Sequence, residues 1–424
     1  MDNSNLYMIT IDIVELFPSI PHGKGMEWFG EVISKESGLS NDLINLIDFM
    51  NLVLNNNFIC FNEEKPIEDA TEVINGPEIG IQTSEIEIQR IHLCVTLQER
   101  LLYYYKALVS IPEPDVKLAK QLALSICGEL RDFLFNKHPE LPLGELYLGG
   151  SLCDDLQVIS PSHVNLFAPL LLEENLWRFI PGEMTILNTP QFWMIKRANL
   201  EYFPNGSSRW DKWKVGGYLS SKVVIETFHK IVTGTINWPA IGSMLGCVVR
   251  PVVAAGEVTL EVRHDYCYLS LNILPLAKME DRLLLATPHS TGYMENMWYR
   301  SFYTAEISRL KELDSADAGS RACCLKIFKS IFKQNTSLNK LSGSHLVTVL
   351  LQLSETQSDW TEEALADRFQ EVIEELISCL ERGVLPCYFN NKVNLFSEFS
   401  EEEIDEMGYT LYCALSEPDI LLQN

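Results

Sequence analysis

The period of the hydrophobic positions changes along the chain, and each change predicts a different kind of element. From Val116 to Asn136, the residues Leu118, Leu122, Ile126, Leu130 and Leu134 recur every four positions, which stacks them on one face of a helix. Leu97, Leu101, Leu102 and Tyr105 predict a shorter helix just before it. From Thr361 to about Glu381, Leu365, Phe369, Ile373, Leu376 and Leu380 predict a long helix, with Asp359 as its cap and Gly383 as its stop. Between these helical stretches the apolar runs are short and separated by breakers. Gln157–Ile159, Val164–Leu172, Met194–Lys196, Val248–Val253, Val258–Arg263 and Tyr268–Ile273 read as strands. At the front, an apolar run from Leu6 to Val14 predicts a strand, a Phe17–His22 turn follows, and helices are expected over Met26–Ser37 and Asn41–Leu54. Residues 63–94 open with acids interrupted by Pro66, Gly76, Pro77 and Gly80, the composition of a linker. Helices, a mixed sheet and then a helical block predict an α+β, bilobal fold: a first block at 1–62, the linker at 63–94, a mixed-sheet lobe at 95–275 and a C-terminal helical lobe at 276–424.

Charge narrows the partners. The formal net charge is −25, which opposes non-specific binding to nucleic acid or anionic lipid. Any anion must therefore meet a local positive patch. The eleven cysteines form no CxxC pair, and a reducing, intracellular setting is the simpler reading. No basic n-region follows Met1, and no apolar run reaches the roughly 18 residues that would cross a bilayer. The chain as written is expected to lack an anchor and to stay in the cytosol.

Three stretches carry candidate chemistry. In Leu148-Gly149-Gly150-Ser151-Leu152-Cys153-Asp154-Asp155, two glycines before a serine let backbone amides and a hydroxyl approach a phosphate. A plain Gly-Gly turn would look the same in isolation. In nucleotidyltransferases of the polymerase-β type, such a turn precedes a strand with two alternating metal-binding acids, and a later strand supplies a third. The corresponding positions here are His163, Asn165 and Asn272, whose neutral side chains cannot assemble a two-magnesium site. The second stretch places Lys326, Lys329 and Lys333 on one helical face, able to neutralise a diphosphate or simply to be solvated. The third, Lys196 to Lys214, combines five basic and four aromatic residues around a Pro204-Asn205-Gly206-Ser207 turn. It reads either as a projecting partner-binding loop or as a loop whose aromatics fold back onto the core.

The blocks Leu97–Tyr105, Gly150–Val158, Leu200–Pro204, Ile236–Ser243, Lys392–Phe396 and Gly408–Cys413 resemble one family closely. From about Val95 to Asn424 the chain is similar to the cytosolic domain of the mitochondrial dynamics proteins, or mitochondrial elongation factors, nearest the ADP-binding member. The resemblance implies a cyclic GMP–AMP synthase-like nucleotidyltransferase fold without transferase activity. It also implies ADP or GDP in the old active-site cleft, with no metal required. The family role it implies is at the cytosolic face of the mitochondrial outer membrane, where a surface loop recruits the dynamin-related fission GTPase. By position, the nucleotide contacts would be Ser151, His163, Ser301 and Lys329, and the recruiting contacts Lys196, Arg197, Tyr202, Phe203 and Pro204. Gly149 stands where the family has a serine, Tyr303 where the ADP-binding member has an arginine, and Leu200 where the family has a proline. A homodimer is among the expected states. The alternative is an active metal-dependent nucleotidyltransferase, which would need carboxylates at 163, 165 or 272. Residues 1–62, through Ile9–His22 and Val53–Phe58, resemble the start of a Penelope-like reverse transcriptase, with Asp12 as its first catalytic acid. The segment reads as a retroelement remnant, joined by exon capture or by a gene-model error.

Overall fold

The structure, a computed structural model, describes residues 91–422 except positions 92, 186–187, 253–257, 266, 287–294, 318 and 358. The elements expected over residues 1–62 and nearly all of the acidic linker lie outside the described residues.

Helix α1 (Leu97–Tyr104) starts where Thr96 and Glu99 form a reciprocal capping box, and it runs on into a π-helical turn, Tyr105–Val109. Helix α2 (Glu113–Lys137) opens with Pro114 and two acids in its first turn, and buries Leu122, Ile126, Leu130 and Leu134 as the four-residue spacing requires. The sheet then begins with β1 (Tyr147–Gly149), β2 (His163–Leu170), β3 (Trp177–Pro181), β4 (Phe192–Arg197), β5 (Lys214–Val215) and β6 (Tyr218–Leu219). Helices α3 (Ser221–Gly234) and α4 (Trp238–Leu245) intervene before β7 (Val248–Pro251), β8 (Thr259–His264), β9 (Cys267–Met279), β10 (Arg282–Leu285) and β11 (Met297–Ser301). The strand order is β1-β2-β9-β10-β11-β4-β6-β5, with β3 beside β4 and the β7–β8 pair beside β9. Among the described strands only β2 and β9 run parallel, with Asn165 opposite Asn272; the other pairings of this sheet are antiparallel. Alternate residues of β2, namely Val164, Leu166, Ala168 and Leu170, are buried in one core with the apolar face of α2.

The helical part comprises α5 (Tyr303–Asp317), α6 (Arg321–Gln334), α7 (Gly343–Ser354), α8 (Leu365–Arg382), a small hairpin of β12 (Pro386–Cys387) and β13 (Asn390–Asn394), and α9 (Glu401–Ser416). Its core is largely Leu, Ile and Val, with an aromatic pair at its centre: Phe328 and Phe369 stack 4.4 Å apart. Helix α8 ends on Gly383 in the left-handed conformation, as the sequence pattern indicated.

Two expectations need correction. Gln157–Ile159 forms no strand. Leu156 and Val158 are buried in the helical core, and Ile159 takes a positive φ of 69°. The lobe boundary at 275/276 cuts through β9, because the sheet continues to Ser301. Conversely, Leu101, Tyr104 and Val109 belong to the helical core, although they precede the sheet. Periodicity identifies a buried face but not the element that covers it.

Candidate functional site

Strand β1 delivers the chain into the Gly149-Gly150-Ser151 turn directly over β2. A Cβ on Gly149 would lie 2.6 Å from the Phe167 ring. Gly150 has φ +91°, and a Cβ there would lie 3.1 Å from Asn165 Nδ2. The Phe167 ring thus fills the space that a side chain at 149 would need. Beyond the turn, the amides of Cys153 and Asp154 both donate to Gly150 O, and Leu156 N donates to Ser151 O at 2.8 Å.

On β2, His163 and Asn165 are two residues apart and share a face, with His163 Nε2 3.0 Å from Asn165 Oδ1. Burial holds the imidazole below its ordinary pKa, against the opposing effect of the Asn165 hydrogen bond, and so favours the uncharged ring. Opposite, Asn272 Oδ1 accepts from Thr259 Oγ1 at 2.9 Å. His163, Asn165 and Asn272 thus carry no carboxylate, and each has a hydrogen-bond partner of its own. Among the described residues no cluster of three or more His, Cys, Asp or Glu side chains is placed to hold a metal ion.

Helix α6 supplies the positive charge. Lys329 Nζ donates to Leu156 O, and no salt bridge to Lys329 forms among the described residues. Burial first, then repulsion from Lys326 and Lys333, pushes its ammonium down to about 8. Ser151, Gln157, His163, Lys329, Lys333 and Gly343 are among the residues lining one cleft of about 290 Å³. The structure thus brings together Ser151, His163 and Lys329. It does not bring Ser301 to the lining; that residue ends β11 and its Oγ accepts from Tyr303 N at 3.4 Å. Nor does the lysine row act as one. Lys326 lines a separate hollow with Asp154, Asp155 and Asp314. Asp154 is engaged by the Tyr303 hydroxyl at 3.0 Å and by Lys311 at 2.7 Å. Gln157 escaped the sequence reading because its neighbours' alternation looked like a strand.

The loop after β4 divides by burial. Tyr202 is 80% exposed and Phe203 40%, and Lys196 and Pro204 are also exposed. Trp210 and Trp213 fold back, pack 4.9 Å apart and donate to Leu171 O and Thr227 Oγ1. The loop's aromatics thus separate: Tyr202 and Phe203 project into solvent, whereas Trp210 and Trp213 fold back onto the core. Arg197, expected among the partner contacts, is instead buried. Its side chain has no exposed surface and pairs with Asp211 at 2.8 Å. It also donates to Ala198 O at 2.6 Å, Leu176 O at 3.3 Å and Phe203 O at 3.1 Å, so it fastens the base of the loop. Burial alone would raise the Asp211 carboxyl. Hydrogen bonds from Arg197, Lys214 and the amides of Gly206 and Ser208 outweigh it and hold the group well below the usual range.

A glycine-serine turn beside a strand, that strand parallel to a second one, and a helical lobe closing the cleft define a nucleotidyltransferase fold. Residues 320–412 match the Mab-21 protein HhH/H2TH-like domain. A stretch of 112 residues, 25% of this chain, is 31% identical to a Cyclic GMP-AMP synthase-like receptor of Magallana gigas, covering 19% of that protein. Residues 115–306 match the mitochondrial dynamics protein MID51-like C-terminal domain. The chain is 51% identical over 348 residues to Mitochondrial dynamics protein MID51 of Danio rerio, covering 81% of this chain and 74% of the relative. It is 50% identical over 337 residues to Mitochondrial dynamics protein MID49 of Xenopus laevis, covering 80% and 73%. The chain belongs to the mitochondrial dynamics protein family, and its role lies in mitochondrial dynamics, in association with mitochondria. No helix among the described residues is long and apolar enough to cross a membrane.

Proposed function

We propose that this chain is a non-catalytic adaptor that binds a nucleoside diphosphate, ADP or GDP, and recruits the dynamin-related fission GTPase at the cytosolic face of the mitochondrial outer membrane. The observation that carries the reading is the composition of the cleft. Ser151, Lys329 and Lys333 line it as anion partners, while His163, Asn165 and Asn272 are neutral where the chemistry would require carboxylates. A buried ammonium without an anion is costly, and a diphosphate between Lys329 and the Ser151 turn would relieve that cost. The cleft retains binding groups and lacks those that activate an attacking hydroxyl. Recruitment falls to the exposed part of the loop, Lys196, Tyr202, Phe203 and Pro204, with Arg197 holding the loop's shape from beneath.

The test is ligand-dependent melting. A ligand that binds only the native state stabilises it by RT ln(1 + [L]/Kd), about 2.7 kcal/mol at a hundredfold excess over Kd. ADP should raise the melting temperature in EDTA as well as in magnesium. Magnesium-dependent formation of oligonucleotide or pyrophosphate would overturn the reading.

A further inference from the structure

Asn205 and Gly206 directly follow Tyr202, Phe203 and Pro204 in the loop after β4. Both are exposed, and a Cβ on Gly206 would meet nothing within 4 Å, so water reaches the turn. An asparagine amide and the backbone nitrogen that follows it are one ring closure apart, and here each is held from the side that favours closure. Gly206 N, the nucleophile, donates to Asp211 Oδ2 at 2.8 Å. Asn205 Oδ1, on the carbonyl under attack, accepts from Lys214 Nζ. The two holders are fixed. Asp211 and Lys214 are 8% and 13% exposed and 3.0 Å apart, and Arg197 pairs with Asp211 at 2.8 Å. A carboxylate therefore faces the proton that has to leave, and an ammonium faces the oxygen on which negative charge develops. In an unfolded chain solvent occupies both places.

We infer that Asn205 is a self-modifying site, deamidating through a succinimide that Asp211 and Lys214 promote, and that the conversion weakens the loop as a recruiting surface. Gly206 N bonds to Asn205 Cγ. The Cγ–Nδ2 bond breaks, and the amino group leaves as ammonia, taking up the equivalent of the proton lost from Gly206 N. Water then opens the ring at either carbonyl and leaves aspartate or isoaspartate at position 205. The net change consumes one water and releases one ammonia. Either product sets a new carboxylate beside Asp211, with Lys214 as their shared cation. The isoaspartate form also inserts a methylene into the backbone ahead of Gly206. The loop otherwise offers Lys196, Arg209 and Lys212 in exposed positions, and added negative charge opposes any partner those cations attract. This consequence rests on the reading of the loop as the recruiting surface; the chemistry does not.

Ageing the full chain at physiological pH and temperature tests it. Peptide mapping by mass spectrometry follows the conversion, and enzymatic methyl transfer detects isoaspartate. A parallel sample unfolded in urea gives the rate that an Asn-Gly sequence sustains without the fold. Native conversion at Asn205 should outrun the unfolded rate. Lys214→Met should slow it about tenfold, the loss of one donor to the developing oxyanion. The chain's other Asn-Gly pair, Asn75-Gly76, should react alike in both and serves as the internal reference. Conversion at Asn205 no faster in the native chain than in urea overturns the inference, and this comparison stands even where the variant does not fold. Aged wild type should lose capture of the fission GTPase in proportion to the converted fraction. Asn205→Gln should age without that loss, because glutamine must close a larger ring. Conversion that leaves capture intact overturns the stated consequence. A fresh chain that never captures the GTPase overturns the recruiting reading and leaves the site standing.

Discussion

Replacing Arg197 by alanine removes a guanidinium whose side chain has no exposed surface, along with its ion pair to Asp211, itself only 8% exposed. Four backbone carbonyls, of Leu176, Ala198, Phe203 and Pro204, lose a donor at the same time. Breaking a buried pair from one side costs about 3–5 kcal/mol. Lys214 stays 3.0 Å from Asp211, and the amides of Gly206 and Ser208 still donate to it, so the lower end applies. With a melting entropy of about 2.1 cal/mol/K per residue over roughly 300 residues, 3 kcal/mol is a fall of about 5 °C in Tm. Tyr202→Ala should leave Tm within about 1 °C, because its ring is 80% exposed. It should instead weaken capture of the fission GTPase by about thirtyfold, the equivalent of about 2 kcal/mol of interface burial. The pH dependence separates the variants further. Asp211 has a depressed carboxyl in the folded state, so its stabilisation is present above the unfolded value near 4 and is lost as pH falls toward the folded one. The Tm difference between wild type and Arg197→Ala should therefore be flat from about pH 6 to 8 and shrink below about pH 4. Scanning calorimetry and a binding assay on the two single variants read all of this. Arg197→Ala with an unchanged Tm and lost GTPase binding would refute the argument, since it would put the guanidinium at the partner.

Lys329→Met should reduce ADP affinity at least tenfold by fluorescence titration, without lowering the apo Tm, because it removes a poorly compensated buried charge. In the wild type, ADP affinity should fall as pH rises through about 8 while apo stability climbs from about 8 toward 10.5, because there the unfolded state binds the extra proton. Proton uptake on ADP binding near pH 8, seen as buffer-dependent heats, checks the same point. Gly150→Ala, at φ +91° and 3.1 Å from Asn165 Nδ2, should cost about 1–2 kcal/mol and weaken ADP binding, measured by melting with and without ligand. The double change Asn165→Asp with Asn272→Asp sets two acids opposite each other on parallel strands. It should lower Tm in EDTA and regain it in magnesium or manganese, whereas the wild type should not respond to the metals.

Period and local chemistry made several parts of this protein legible in the sequence. The four-residue spacing of α2 and α8 specified their buried faces, because a helix surface repeats every 3.6 residues regardless of what covers it. The two-residue period put His163 and Asn165 on one face of β2, and the paired glycines marked a tight turn, with Gly150 at a positive φ. The neutral identities of His163, Asn165 and Asn272 could be read directly. Convergence could not. Lys329 reaches the carbonyl of Leu156 across a sequence separation of 173, and no local pattern encodes that approach. The three lysines share a helix but serve two hollows: Lys329 and Lys333 line one, and Lys326 lines the other with Leu156. Within one loop, Arg197, Trp210 and Trp213 turn inward while Tyr202 stays in water, although their residue types alone favoured a single shared role. Burial and the satisfaction of polar groups depend on everything packed around a side chain. The sequence by itself determined which groups the cleft and loop contain; only the tertiary structure decided which are desolvated, which are already paired, and which remain free to meet a ligand or partner.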